Sequence, residues 1–297
     1  DYFDKRTKDL LVSVVPPYET GATSVMMNAG NVSNRGFELD LAWRDRIGDW
    51  SYSASGNIAT LRNKVTYLDP TVSRIAGARM HTATVTMFEK GHPVWYMYGY
   101  KFSGVDDATG NPIFVDTNKD GSITEDDKTD IGCAIPDFTY GLTLNVAYKG
   151  FDLTIFGSGA QGGDIWTFLT RTDYPKRNRL KLYYDERWTE TNTTAPRPRP
   201  NCVDEDKYWY SDANIFDGSY FKIKQIQLGY TIPQSLIHKV AISDLRIYVS
   251  LDNWITFTSY PGFDPEAASI SATSGMGLDK GSYPISKKLT FGLNLAF

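Results

Sequence analysis

Residues 116–127 read D-T-N-K-D-G-S-I-T-E-D-D, and their oxygens stand at the spacing a hard cation requires. Asp116, Asn118 and Asp120 occupy positions 1, 3 and 5; Gly121 follows where the chain must turn sharply; Ser122 offers its backbone carbonyl; Asp127 closes the run at position 12. Hard cations want several oxygens at such spacing, and Ca2+ or Mg2+ is the ion expected. Asp127 stands where such loops ordinarily carry Glu. Its shorter arm makes two-oxygen ligation harder and lowers the expected affinity. Residues 112–115 (PIFV) read as strand, so no helix leads into the loop. A static metal clip is therefore expected rather than a sensor. The competing reading is an acidic turn that holds no ion.

Other patterns carry weaker chemistry. Residues 157–162 (GSGAQG) fit G-x-G-x-x-G after a strand, with Asp185 further on. A phosphate site needs the positive end of a helix after the glycines, and no helical period follows Gly162, so no nucleotide site is expected. His81, His92 and His238 are dispersed; no metal-spaced pair and no Ser/His/Asp set stands out. Carboxylates are plentiful, but no glycosidase-type pair is singled out, and no catalytic function is expected. Aromatics cluster outside the regular segments: Trp95, Tyr96, Tyr98 and Tyr100; Trp166, Phe168 and Tyr174; Tyr208, Trp209 and Tyr210. Flat rings stack on sugars and pack on peptides, which makes Trp95, Tyr96, Trp166 and Trp209 candidate substrate contacts. The same rings also serve to stiffen loops or anchor a partner protein. The basic run 171–181, with Arg197 and Arg199, reads as a solvated loop.

The elements that must position these residues are strands. Phe37, Leu39, Leu41 and Trp43 alternate with Glu38, Asp40, Ala42 and Arg44. After a turn over 45–49, Trp50, Tyr52, Ala54, Gly56 and Ile58 alternate with serines and Asn57. The same period recurs over 138–148, 151–155, 226–232, 245–252 and 289–297, and an opening strand near 2–11 is less regular. The strand at 220–232 changes phase between Ile223 and Ile226, which predicts a bulge. Counting gives eight strands, near 1–11, 33–44, 50–61, 137–148, 151–160, 220–232, 244–257 and 288–297. Short connections alternate with long ones (12–33, 61–136, 160–219, 258–287), and aromatics flank the short turns. Short turns on one side, long loops on the other and paired aromatic girdles form the outer-membrane barrel pattern. A soluble β-sandwich has no reason to segregate loop length so regularly. On this reading the short turns face the periplasm and 116–127 lies in an extracellular loop.

Composition sets the outer bounds. Of 297 residues 41% are apolar and 14% aromatic, and the net charge of −4 offers no basic surface for nucleic acid. No run of 18 apolar residues is present, which excludes a transmembrane helix but not a barrel strand. The opening DYFDKRTKDLL lacks the apolar core and cleavage site of a signal peptide; either a mature protein begins there or the chain is part of a longer one. Cys133 and Cys202 are too few for a disulfide scaffold, and one bridge or two free thiols both fit.

Several stretches resemble a known family. DYFDKRTKDLL, NAGNVSNRGFELDL, GHPVWYMYGYKFSGV, the run from FVDTNKDGSITEDD through IPDFTYG to YKGFDL, RWTETN, YFKIKQIQLGYTIP and SYPGFDPE resemble, in order and spacing, the C-terminal part of SusC/RagA-like TonB-dependent outer-membrane transporters. The resemblance covers nearly the whole chain, 1–297. It implies an all-β, transmembrane antiparallel barrel of about 22 strands plugged by an N-terminal domain, with this chain supplying the last eight or so. Plug, TonB-contacting box and remaining strands are then missing, and the terminal Phe297 matches the aromatic that such barrels present to the assembly machinery. The implied role is TonB-dependent import of oligosaccharides or peptides, with a SusD-like surface lipoprotein as lid and outer-membrane lipid around the wall. Two other readings remain open: a self-contained eight-stranded barrel, which requires pairing of 2–11 with 289–297, and a secreted glycan-binding or glycan-cleaving sandwich.

Overall fold

The computed structural model describes residues 1–14, 21, 25–170, 178–237, 242–270 and 273–297. Tyr174, His238 and most of the basic run 171–181 lie outside the described residues. Eight strands follow one another as neighbours in a single antiparallel sheet: β1 (Tyr2–Val14), β2 (Val25–Ile47), β3 (Trp50–Thr60), β4 (Phe138–Tyr148), β5 (Phe151–Gln161), β6 (Tyr220–Thr231), β7 (Asp244–Thr258) and β8 (Lys288–Ala296). These are the eight strands expected. All lie in one sheet, which removes the sandwich reading. β1 pairs with β2, β8 pairs with β7, and the two do not pair with each other, so the eight-stranded barrel closed on itself is corrected to an open wall.

Register explains why alternation is so regular. One row across the sheet runs Trp50, Tyr148, Phe151, Tyr230, Ile247 and Leu293, each residue opposite the next. Four residues further along, Trp43, Ala54, Leu144, Ile155, Ile226, Leu251 and Leu289 form a parallel apolar row. Between such rows stand polar ones, such as Arg44, Ser53, Asn145, Thr154, Gln227, Ser250 and Thr290. A one-residue slip would exchange the faces, so the two-sided environment fixes the pairing. The apolar face is bare in this chain: Leu41, Trp43 and Phe291 are 65, 66 and 77% exposed. On the other face Asn145 donates to Ser53 at 3.2 Å and Thr154 donates to Asn145 at 2.9 Å.

Three boundaries differ from expectation. The turn placed at 45–49 contracts to Gly48 and Asp49, because Arg46 and Ile47 still pair with Ser51 and Trp50. β2 begins at Val25, earlier than 33; its first half pairs with β1 on one side and with the strand Arg62–Leu68 on the other. Consecutive polar and small residues there hid the strand. The expected bulge is present: Lys224 has no partner on β5 or β7, and the β7 register jumps past Asn253, which adopts φ 59°. Lys149 and Gly150, at φ 45° and 88°, make the two-residue turn between β4 and β5, the left-handed pair that a type I′ hairpin requires.

The described residues of segments 69–137, 162–219 and 259–287 do not remain separate loops. They pack together at the end of the wall opposite the Gly48 and Lys149 turns, around Met80, Val85, Met97, Trp166, Phe168 and Leu278. A small sheet (Thr129–Gly132, Tyr96–Gly99, Thr86–Glu89, Arg74–Ala76) forms one side of this cap. Where G-x-G-x-x-G would need a helix, the strand Asp164–Thr167 follows instead.

Candidate functional site

The 116–127 loop is held by its own carboxylates. Asp116 accepts the Lys119 amide at 2.6 Å and the Gly121 amide at 2.8 Å, and Gly121 sits at φ 86°, a turn that a side chain would oppose. Asp120 accepts the Ser122 amide at 2.8 Å and the Asn118 side-chain amide at 2.9 Å. Asp127 is fully buried; one of its oxygens accepts the Thr117 amide and the other the Thr124 amide, both at 2.8 Å. Thr124 accepts the Asp126 amide in return, so a capping box fixes the 3-10 turn Glu125–Asp127. The Thr124 amide, then those of Thr117 and Asn118, hold the Asp127 carboxyl below the usual range despite burial. The strand Pro112–Phe114 leads in, as expected.

Among the described residues no group of three or more His, Cys, Asp or Glu side chains is gathered closely enough to hold a metal ion. A carboxylate offers about four lone-pair sites; Asp116 and Asp120 each accept two hydrogen bonds and keep capacity to spare, whereas buried Asp127 already accepts from the Thr117 amide and hydroxyl and from the Asn118 and Thr124 amides. Asp116, Asn118, Asp120, the Ser122 carbonyl and Asp127 are the groups that would hold a hard cation.

The turn that ends this loop forms part of a cavity of about 560 Å3 in the cap. Its floor is Met87, Tyr98, Tyr100 and Tyr210, all buried. Its rim carries Arg74 and Arg79 from one arm, Glu125 and Asp126 from the turn, and Asp206 and Lys207 from the helix Glu205–Trp209. The side chain of Lys128, directly after the loop, is 2% exposed. Its ammonium lies 2.6 Å from Glu125 and over the rings of Tyr100 and Tyr210 at 5.2 and 5.8 Å. The loop and the cavity floor are thus one packed unit.

The aromatic candidates have other work. Tyr96, Trp166 and Trp209 are 2, 0 and 3% exposed, so their faces are covered by the cap's own side chains. Trp166 packs on Phe168 and Trp209 on Tyr183, each at a ring separation of 5.0 Å, while Tyr96 donates to Glu89 at 2.7 Å. Trp95 is half-buried at φ 54° and leans on Phe88. Both cysteines are free.

A second feature was missed in the sequence. Lys222, 2% exposed at the upper end of β6, donates to both oxygens of Asp264 at 3.0 and 2.9 Å and to Glu266 at 2.8 Å; Lys224 also pairs with Glu266. This network pins the 259–287 segment to the wall. The charges were readable, and Lys222 and Lys224 share a face by strand alternation, but nothing local shows that the segment carrying Asp264 and Glu266 returns to that end of β6.

The chain was compared with known proteins. A family model described as "TonB dependent receptor-like, beta-barrel" matches residues 1–254. The chain is 31% identical over its whole length to TonB-dependent receptor P3 of Formosa agariphila and 27% identical to TonB-dependent receptor SusC of Bacteroides thetaiotaomicron. It spans 32% and 30% of those proteins, about a third of their length. A solved structure of the RagAB peptide transporter superposes on the whole chain with TM-score 0.82 at 26% identity, and this chain covers 32% of it. With that match extending over most of an open, two-faced antiparallel wall, the chain belongs to the TonB-dependent receptor-like β-barrel family.

Proposed function

We propose that this chain forms barrel wall and extracellular cap of an energy-coupled importer in the outer membrane of a Gram-negative bacterium, and that the cargo is an oligosaccharide or a peptide. One observation carries the reading: a single sheet bears apolar rows on one face and polar rows on the other, and its long connections gather at one end into a cap with a ligand-sized cavity. A relative named SusC and a structural relative described as a peptide transporter support import. In this reading lipid covers the apolar face, a SusD-like surface lipoprotein covers the cap, and the TonB complex acts through a plug contributed by the rest of the transporter. The protein's role is passage, not bond-breaking.

The 116–127 loop serves this function as a clip. With Ca2+ (or Mg2+) on Asp116, Asn118, Asp120, Ser122 and Asp127, it would hold Glu125 and Asp126 at the cavity. Support comes from the oxygen spacing and from amide bonds that already shape the turn.

The test is uptake in cells. Deleting the gene should abolish accumulation of a labelled oligosaccharide or peptide mixture, and removing TonB should do the same. The protein should fractionate with outer membranes and copurify with a surface lipoprotein. Recovery in the soluble periplasm, or uptake that ignores both deletions, would sink the reading.

A further inference from the structure

We propose that the cap cavity is a binding site for a dipolar ligand, one carrying carboxylate and ammonium groups together, as a short peptide does. This rests on the import reading and narrows its cargo. The first argument is charge. Glu125 is matched by Lys128, and Lys207 by Asp204 at 3.2 Å. Arg74, Arg79, Asp126 and Asp206 have no ion-pair partner among the described residues, and all four stand exposed on the cavity rim. Among the described residues Arg74 donates only to the Tyr98 hydroxyl, at 2.9 Å, and Arg79 to the Thr82 carbonyl, at 2.8 Å. Two guanidinium forks and two carboxylates therefore face one cavity with most of their charge-assisted hydrogen bonds unmade. The forks fit a carboxylate with two parallel bonds, and the carboxylates fit an ammonium group.

The second argument concerns the walls. A neutral sugar is gripped by an open aromatic face. Tyr98, Tyr100 and Tyr210 are only 5, 5 and 6% exposed, so the floor offers little ring surface for stacking. Lys128 lies against two of those rings. What the floor does offer, Met87 and ring edges, is a narrow apolar surface suited to a backbone or a small side chain.

The experiment uses the full-length transporter purified with whatever lipoprotein accompanies it. Three probes are offered: a tryptic digest of casein, the same digest with its amines acetylated and carboxyls esterified, and a neutral maltodextrin ladder. Retained material is quantified by mass spectrometry. The untreated digest should be retained about tenfold or more above the capped digest. The pairs R74Q/R79Q and D126N/D206N should each lower retention by a similar factor, and R74K/R79K should restore part of it. Heat-modifiable migration of each variant in gels shows that it inserted and folded. Equal retention of capped and untreated digest, preference for maltodextrin, no retention of the digest, or folded variants that bind as before would each overturn the assignment. TonB-dependent uptake is measured in the same strains. If it persists while the binding test fails, the cavity assignment falls alone; if it is absent, the import reading falls whatever the cavity binds.

Discussion

At the scale of single residues, Asp127 is the knot of the loop. Its two oxygens accept amides from both ends of the turn, so Asp127→Ala leaves the Thr117 and Thr124 amides without their acceptor. Thr117 and Thr124 are exposed, so water replaces part of what is lost; each broken bond costs about 0.5–1.5 kcal/mol, and the loss is local. Hydrogen exchange across 116–128 should accelerate while the wall strands keep their protection; unchanged exchange in the loop would refute this role. Because the folded Asp127 carboxyl lies below the usual range, its stabilisation is present above the ordinary carboxylate pKa and disappears as pH falls through the lower folded value. If the loop holds an ion as proposed, a chelator such as EDTA should expose 116–127 to protease and leave the barrel's heat resistance intact. If chelation unfolded the barrel, the clip would be misplaced.

Lys222 is the second residue on which a segment depends. Burial alone would raise the carboxyls of Asp264 and Glu266, but Lys222 more than offsets this, with backbone amides helping Asp264 and Lys224 helping Glu266, and both end below their usual range. Asp264→Asn would leave a buried ammonium with one carboxylate in place of two, at a cost of up to about 3–5 kcal/mol. The expected outcome is early proteolysis within 259–287 with β6 and β7 still assembled. A variant as protease-resistant as the parent would show that the apolar contacts of Tyr260 and Ala268 suffice.

At the scale of elements, the wall was legible and the cap was not, for a physical reason. A strand with lipid on one side and polar groups on the other must alternate, so Leu142, Leu144 and Val146 announced β4 without any knowledge of its neighbours. Its turn was equally readable, since Lys149 and Gly150 lie between two alternating runs. Gly150→Val tests that turn. At φ 88° an L-residue is strained by about 1–2 kcal/mol, and a Cβ would stand 2.8 Å from the Thr231 carbonyl. Heat-modifiable migration should be lost at a lower temperature than in the parent; an unshifted transition would mean the turn has another conformation. In the cap, by contrast, strands are two to four residues long, too short to show a period. Trp166 is buried by Leu278 and Tyr210, more than forty positions away in the chain. Nothing local distinguishes a tryptophan that will be buried so from one that will greet a substrate. The calcium-type loop lay between these cases: its turn was legible, whereas its contribution of Glu125 and Asp126 to a cavity depends on Tyr98, Tyr210 and the helix Glu205–Trp209.

At the scale of the whole molecule, the decisive features are the two edges of the wall. β1 is hydrogen-bonded on the β2 side and β8 on the β7 side. An unpaired strand edge in hydrocarbon leaves amides and carbonyls without water, at several kcal/mol for each group. Eight strands ending in two such edges would not be stable in a membrane on their own, so the import reading requires further strands against β1 and β8. The relatives, of which this chain spans about a third, have the length to supply them. Disulfide trapping in the full-length protein, with Cys133 and Cys202 replaced by serine, distinguishes the alternatives. Ser55→Cys with Thr143→Cys, register partners on the polar face, should cross-link in high yield on mild oxidation. Thr7→Cys with Thr290→Cys should stay reduced, because other strands separate β1 from β8. Efficient trapping of the second pair would mean that the wall closes on itself, leaving no lumen wide enough for cargo, and the import reading would fall with it.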